Sequence, residues 1–539
     1  MRNVSVSVLI GSLLLAGQNL LMAVEPSKPS PCQIIPKPLK AEYREGGYKL
    51  TEKTVIHARS AKLKDTGRYL AELLGSAIGL NQEISSSWFT PSGGIILKLD
   101  DSREDLGEEG YLLRCTPKGV TITAANPVGV FYGVQTLRQL LPPEVERRQT
   151  VEGREWIVPC VSIEDCPRFT WRGYLLDPAR HFRTKEEIKR YIELLVLQKM
   201  NVLQLHLTDD QGWRVEIKKY PKLVEIGACL PNYGGKKGEG WFYSQEDIKE
   251  IVRYASERHV TVVPEIEMPG HSGAVIASYP ELACGGKPPG GWSAPLCVAQ
   301  EATFEFATNV LDEVIALFPS PYIHVGADEV PSGPWRACLK CKPLMDKLAG
   351  DPMSTDVTAF RVNVPAGQGL PFHEDVARLQ GEFIRRIDQH LASRGRRMVG
   401  WDEILDGGLK TGSPAVAMAW RGDGAVQGAA VQNRDVVVAP HPVYYLDNNI
   451  PLQSTYVYEP VPSELPVGQE KHVLGVQGNM WGEGTPSLQR VDEQSFPRLC
   501  ALAETGWTTR EGRDFADFSV RLVQFLERLD ILGVKYRKL

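Results

Sequence analysis

The chain carries no excess of positive charge. Its 61 lysines and arginines stand against 66 aspartates and glutamates, a net charge of −5, so it has no basic surplus for a nucleic-acid-binding face. It also lacks the H-E-x-x-H spacing of a helical metal-hydrolase site and the G-x-S-x-G turn that presents a nucleophilic serine. A doubly wound sheet would bring a glycine-rich phosphate cradle after its first strand. Here that turn reads Asp-Pro-Ala-Arg-His-Phe, which is no such cradle. Internal repeats and low-complexity tracts are absent. Beyond the N-terminus no apolar run reaches the roughly 20 residues of a membrane span. These absences argue against nucleic-acid binding, dinucleotide chemistry, serine hydrolysis and membrane transport.

What is present begins with an export signal. Arg2 supplies the positive end, Val4–Leu15 the apolar run, and Ala16, Gly17 and Ala23 the small residues, with cleavage expected at Ala23. The run is short for an anchor, and no cysteine follows it to carry a lipid. The mature chain is therefore expected in the periplasm or medium. Ten cysteines fit that setting. Cys284 and Cys297 bracket a Gly/Pro-rich loop that a disulfide could staple. Cys338 and Cys341 form a C-x-x-C with no second C-x-x-C or paired histidines after it. A disulfide or two free thiols is expected there rather than zinc, and no metal site is read.

Residues 24–165 mix strand and helix patterns. Thr54–His57 and Ile95–Leu99 read as strands, Lys64–Ile78 as an amphipathic helix, Tyr111–Thr116 with Gly119–Ala124 as a hairpin, and Val128–Leu141 as a helix. This is an α+β domain without evident chemistry, ending near Cys166-Pro167. From 166 to 539 strands and helices alternate. Strand patterns fall at Arg172–Leu176, Val202–Leu207, Val260–Ile266, Tyr322–Val325, Met398–Trp401, Ala415–Trp420, Asp435–Ala439 and Val473–Gln477. Thr184 and Glu187 make a capping box, and further helices are expected near Gln245–Arg258, Ala302–Leu317, Glu374–Arg394 and Asp492–Thr505. Eight strands alternating with helices predict a (β/α)8 barrel.

A barrel gathers the residues just past its strand ends at one mouth. Those ends supply Asp177 and Arg180; His206, Asp209 and Asp210; Glu265, Glu267 and His271; the adjacent pair Asp328 and Glu329; Trp401; Trp420; Tyr445 and Asp447; and Trp481 with Glu483. Each has an ordinary structural explanation alone, but such residues at all eight ends do not arise easily by chance. Aromatic walls stack on sugar rings, carboxylates and arginine grip hydroxyls, and two acids can divide a hydrolysis between them. Glycoside hydrolysis follows as the expected chemistry.

The ordered segments Asp177–Phe182, His206–Arg214, Pro264–His271, His324–Val330, Gly400–Glu403, Ala419–Gly422, Tyr445–Asp447 and Gly478–Glu483 together resemble the family 20 glycoside hydrolases, the β-N-acetylhexosaminidases. The resemblance implies exo-acting release of terminal N-acetylglucosamine or N-acetylgalactosamine from oligosaccharides or glycoconjugates, with no cofactor. It implies retention of configuration, with the substrate's own 2-acetamido group as nucleophile and an oxazolinium intermediate. By the same resemblance Glu329 is the general acid and base, Asp328 orients the acetamido group, and Tyr445 bonds its oxygen. Arg180, Asp447 and Glu483 would hold hydroxyls, Trp401, Trp420 and Trp481 would line the pocket, and Asp209 and His271 would tune Glu329. Ala327 stands where the family often has a second glycine. The Gly/Pro-rich stretch Pro343–Phe372 is expected to shape a subsite or to form a surface loop. A sugar-binding protein with a dead site and a barrel glycosidase with its own nucleophile are the competing readings.

Overall fold

The computed structural model describes residues 32–80, 84–85, 93–147, 149–151, 153–229, 241–286, 295–349, 357–358, 361 and 372–538. The N-terminal segment expected to be an export signal and most of the Pro343–Phe372 stretch lie outside the described residues. Two units follow one another along the chain. The first is a seven-stranded sheet in the order β1-β7-β5-β6-β4-β2-β3. Its strands are β1 (Lys40–Leu50), β2 (Ile56–Ala58), β3 (Ile84–Ser85), β4 (Ile95–Leu99), β5 (Tyr111–Thr116), β6 (Gly119–Ala124) and β7 (Trp156–Asp165). The expected hairpin is the antiparallel pair β5–β6, and β4 lies parallel to β6. Helices α1 (Lys64–Ile78) and α2 (Pro127–Leu140) pack against it. Helix α1 stops at Gly79, whose φ of +75° is the left-handed cap that glycine adopts without strain.

The second unit is a closed barrel of eight parallel strands: Trp171–Leu176, Val202–His206, Thr261–Glu265, Tyr322–His324, Arg397–Trp401, Val416–Ala419, Val436–Val438 and Val473–Met480. The eighth strand closes on the first, with Gly475 opposite Trp171. All eight expected strands are present, with ends shifted by a few residues at most. Their inward side chains, among them Leu175, Val263, Val399, Met418 and Val437, fill the interior with apolar volume. The mouth residues therefore rest on a packed floor. After the first strand, α3 (Lys185–Leu197) begins with the expected capping box: the Glu187 amide donates to Thr184 Oγ1 at 3.2 Å and the Thr184 amide to Glu187 Oε2 at 2.8 Å.

Two expectations change. The helix expected over Asp492–Thr505 is two helices, Leu488–Ser495 and Arg498–Trp507. Pro497 between them has no amide hydrogen, and its ring cannot follow a helical turn. Cys284 and Cys297 are not joined, so no disulfide staples their loop, whereas Cys338 and Cys341 are two free thiols, one of the two states expected for them. All four thiols are free, and they converge within 4.8 Å of one another. The loop after the third barrel strand and the helices after the fourth are far apart in sequence but lie side by side. Spacing along the chain alone does not show this.

Asp165, the last residue of β7, ties the two units together. Its carboxylate accepts from the Leu39 amide, Tyr111 OH, Lys199 Nζ and Trp507 Nε1, at 3.0, 2.6, 2.8 and 2.8 Å. Asp165 and Lys199 are fully buried.

Candidate active site

The acid pair follows directly from the fourth barrel strand. Gly326, Ala327 and Glu329 have φ of +65°, +73° and +47°, so the backbone turns sharply and sets both carboxyls at the mouth. Gly326 suits this turn, since its φ is left-handed and a Cβ there would lie 1.7 Å from Glu267 Oε2, so that carboxylate would have to shift. Ala327 keeps its methyl group in the same left-handed region. The turn is pinned on both sides: the Trp401 amide donates to Gly326 O at 2.9 Å and Gln380 Nε2 to Ala327 O at 2.6 Å.

A line of alternating charges leads to the pair. Arg180 is buried and bonds Asp177 at 2.9 Å and Asp209 at 2.6 Å, with Glu483 at 3.4 Å. Asp209 also accepts from His206 at 2.9 Å and faces His271 Nδ1 at 3.4 Å. The other nitrogen of His271 lies 3.6 Å from Asp328 and 3.9 Å from Glu329. Burial pushes the Asp209 carboxyl up, but Arg180 and His271 outweigh it and hold the group well below its ordinary range. His271 is pulled down by burial, yet Asp209 and Asp328 carry it up to about 10. It is therefore a cation at neutral pH. Burial raises Glu329, and the Asp328 charge raises it further, while His271 and Arg180 pull it back. Asp328 is raised too, by burial first, with His271 opposing.

Opposite the acids stand the aromatic residues. Trp401, Trp420, Tyr445 and Trp481 form one cluster, with ring centroids 5.7 Å apart for Trp401–Trp481, 6.1 Å for Tyr445–Trp481 and 6.4 Å for Trp420–Tyr445. Trp481 also receives the Arg180 guanidinium 5.1 Å from its ring centre. Tyr445 is placed by a bridge to Asn479 on the eighth strand. Asp447 sits on the same loop. Burial is the main cause that carries its carboxyl up to about 7. The eleven residues to which the resemblance gives roles thus lie at one barrel mouth.

Glu265 and Glu267 stand at the third strand end and Glu403 closes a quoted segment, but the sequence assigns none of the three a part. Glu265 accepts from Gln204, His206, His324 and Trp401 at 2.7–3.0 Å, and so anchors the floor of the site. Glu403 accepts from Trp420 Nε1 at 3.0 Å, and burial pushes it well up. Glu267, buried behind Asp328, is raised in the same way. Their signal was the Glu-Ile-Glu and Trp-Asp-Glu wording at two strand ends. The carboxylates around His206 and His271 are near enough to ligate a cation. However, Arg180 and the two histidines already supply positive charge there.

Fold and site together define a (β/α)8 glycoside hydrolase with an acid pair facing an aromatic wall. Two family models match: glycosyl hydrolase family 20, catalytic domain, over residues 169–510, and its domain 2 over residues 31–166. The chain belongs to glycosyl hydrolase family 20, and it is a β-hexosaminidase. A β-hexosaminidase from Porphyromonas gingivalis is 38% identical over 546 residues, covering 97% of this chain and 67% of the relative. The structure of a family 20 β-N-acetylhexosaminidase from Streptomyces coelicolor superposes with a TM-score of 0.79 at 32% identity, covering 95% of this chain and 99% of that one. A mutant Streptomyces plicatus β-hexosaminidase in complex with its product GlcNAc matches with the same score, identity and coverage of this chain, and 98% of its own.

Proposed function

We propose that the mouth hydrolyses terminal β-linked N-acetylhexosamine, with each residue acting as follows. The family uses the substrate's acetamido group as its nucleophile. The acetamido carbonyl oxygen bonds to the anomeric carbon as the bond to the leaving oxygen breaks. Glu329 gives its proton to that oxygen. Asp328 accepts from the acetamido N–H and stabilises the positive charge of the oxazolinium ion. Tyr445 donates to the acetamido oxygen and holds it in line for attack. Water then gives a proton to Glu329 and opens the ring at the anomeric carbon, so configuration is retained. Trp401, Trp420 and Trp481 enclose the acetamido group and sugar ring, while Arg180, Asp447 and Glu483 take hydroxyls.

The observation that carries this reading is Asp328 Oδ1. It is buried and makes no hydrogen bond within the described structure, and the Asp328 charge acts on the nearby Tyr445 hydroxyl. An acceptor left open in such a place fits a donor brought by the substrate. Asp447 Oδ1 is buried and open in the same way, which fits a sugar hydroxyl. The natural substrates on this reading are glycans ending in N-acetylglucosamine or N-acetylgalactosamine. The apolar N-terminal run supports their being met outside the cytoplasm. The test is hydrolysis of nitrophenyl β-N-acetylglucosaminide against the matching β-glucoside, with and without a thiazoline mimic of the intermediate. Selective cleavage of the acetamido sugar, blocked by the mimic, is expected. Equal cleavage of both, unaffected by the mimic, would indicate an enzyme nucleophile. No cleavage of either, nor of the matching β-N-acetylgalactosaminide, would indicate a binding protein.

A further inference from the structure

The sugar chemistry makes no use of the four free cysteines that converge beside it. Cys284 and Cys297 lie on the chain that follows the third barrel strand and His271. Cys338 and Cys341 close and open the two helices, Ser332–Ala337 and Cys341–Ala349, that follow Glu329. Three of the four are buried. The sulfur separations are 3.8 Å for Cys284–Cys341, 3.8 Å for Cys297–Cys338 and 3.7 Å for Cys297–Cys341. A disulfide needs about 2.05 Å. A tetrahedral ion with metal–sulfur bonds of about 2.3 Å sets its ligands about 3.8 Å apart. The observed spacings fit the edges of that tetrahedron.

We propose that Cys284, Cys297, Cys338 and Cys341 bind one zinc ion as a structural four-thiolate site. The surroundings suit such a centre. The Ala299 amide donates to Cys297 Sγ, the kind of bond that steadies a thiolate ligand. Thr303 Oγ1 donates to Cys297 O at 2.7 Å, and the buried Trp335 donates to Leu296 O at 2.9 Å, so both ligand-bearing segments are held next to the sulfurs. Binding releases the thiol protons and leaves four thiolates around a divalent ion, with no change of oxidation state. The ion ties the chain behind His271 to the chain behind Glu329. It thereby fixes the spacing between the histidine cation and the general acid. The four ligands come in pairs from two segments, with Cys284 and Cys297 supplying the second pair that the sequence reading did not find.

The test is metal content, which is independent of sugar turnover. The full chain is purified without chelator and its metals measured by plasma mass spectrometry, with zinc release followed during thiol modification. One zinc per chain is expected, released as four thiols react. Cys338→Ser/Cys341→Ser is expected to lose it, and Cys166→Ser to keep it. Should the double variant fail to fold, the wild-type protein stripped by chelator is melted instead. A lower melting temperature, restored by zinc and not by magnesium, is then the expected result. Zinc absent from the native protein, with these cysteines recovered as disulfide-linked peptides, would overturn the proposal. So would iron in place of zinc, or zinc retained by the double variant.

Discussion

Asp328 and Glu329 are adjacent in the chain but differ in their surroundings. Asp328 is the more enclosed, beside the Glu267 carboxyl and the His271 cation. Glu329 reaches toward solvent, with Asp328 as its main charged neighbour. On the proposed roles Glu329 must enter the reaction protonated and Asp328 ionised. Activity is then lost as pH rises through the raised pKa of Glu329, and lost again as pH falls through the raised pKa of Asp328, the pair titrating together. The His271 cation lowers both groups. His271→Ala is therefore expected to move both limbs of the kcat/KM profile to higher pH. A fall in rate with unmoved limbs would give His271 only a structural part. Gly326 provides a test of the turn itself. A Cβ there meets Glu267 Oε2 at 1.7 Å in a left-handed backbone, so Gly326→Ala is expected to cost about 2–4 kcal/mol in urea unfolding and most of the activity. A variant of wild-type stability would show that Glu267 moves aside freely.

At the scale of elements, the barrel strands were legible because short apolar runs alternate with well-marked helices. The long edge pairing of the first unit was not. Strand β1 reads Lys-Ala-Glu-Tyr-Arg-Glu-Gly-Gly-Tyr-Lys-Leu, mostly exposed, and its register with β7 shifts between Tyr43 and Gly47. Its charges and paired glycines dilute the period-two pattern that marks a strand. The final helix, Phe515–Ile531, was passed over as well. The junction between the units rests on the buried Asp165–Lys199 pair. Burial pulls the Lys199 amine down while Asp165 holds it up. Removing the carboxylate leaves a cation without its main partner in the interior. Asp165→Ala is expected to destabilise the fold by about 3–5 kcal/mol, and adding Lys199→Met to recover most of that loss. Equal instability in the single and double variants would mean that the Leu39, Tyr111 and Trp507 bonds matter more than the charge.

Across the whole molecule, the sequence disclosed the ends of the barrel strands better than the ties between distant segments. Arg180, Asp328, Glu329, Tyr445 and the tryptophans could be named because a parallel barrel sends every strand end to one mouth. Glu265 and Glu267 could be named at a strand end but not given a part, and Glu403 was not singled out, because their importance lies in what they hold across the barrel. The cysteine cluster was harder still, since its halves lie on different loops and only folding brings them together. The central claim remains that the nucleophile belongs to the substrate. It is tested most directly with nitrophenyl β-glucosaminides whose N-acetyl group carries none, one, two or three fluorines. The account requires kcat to fall steeply as fluorine weakens the carbonyl oxygen. A rate that stays level across the series would contradict it.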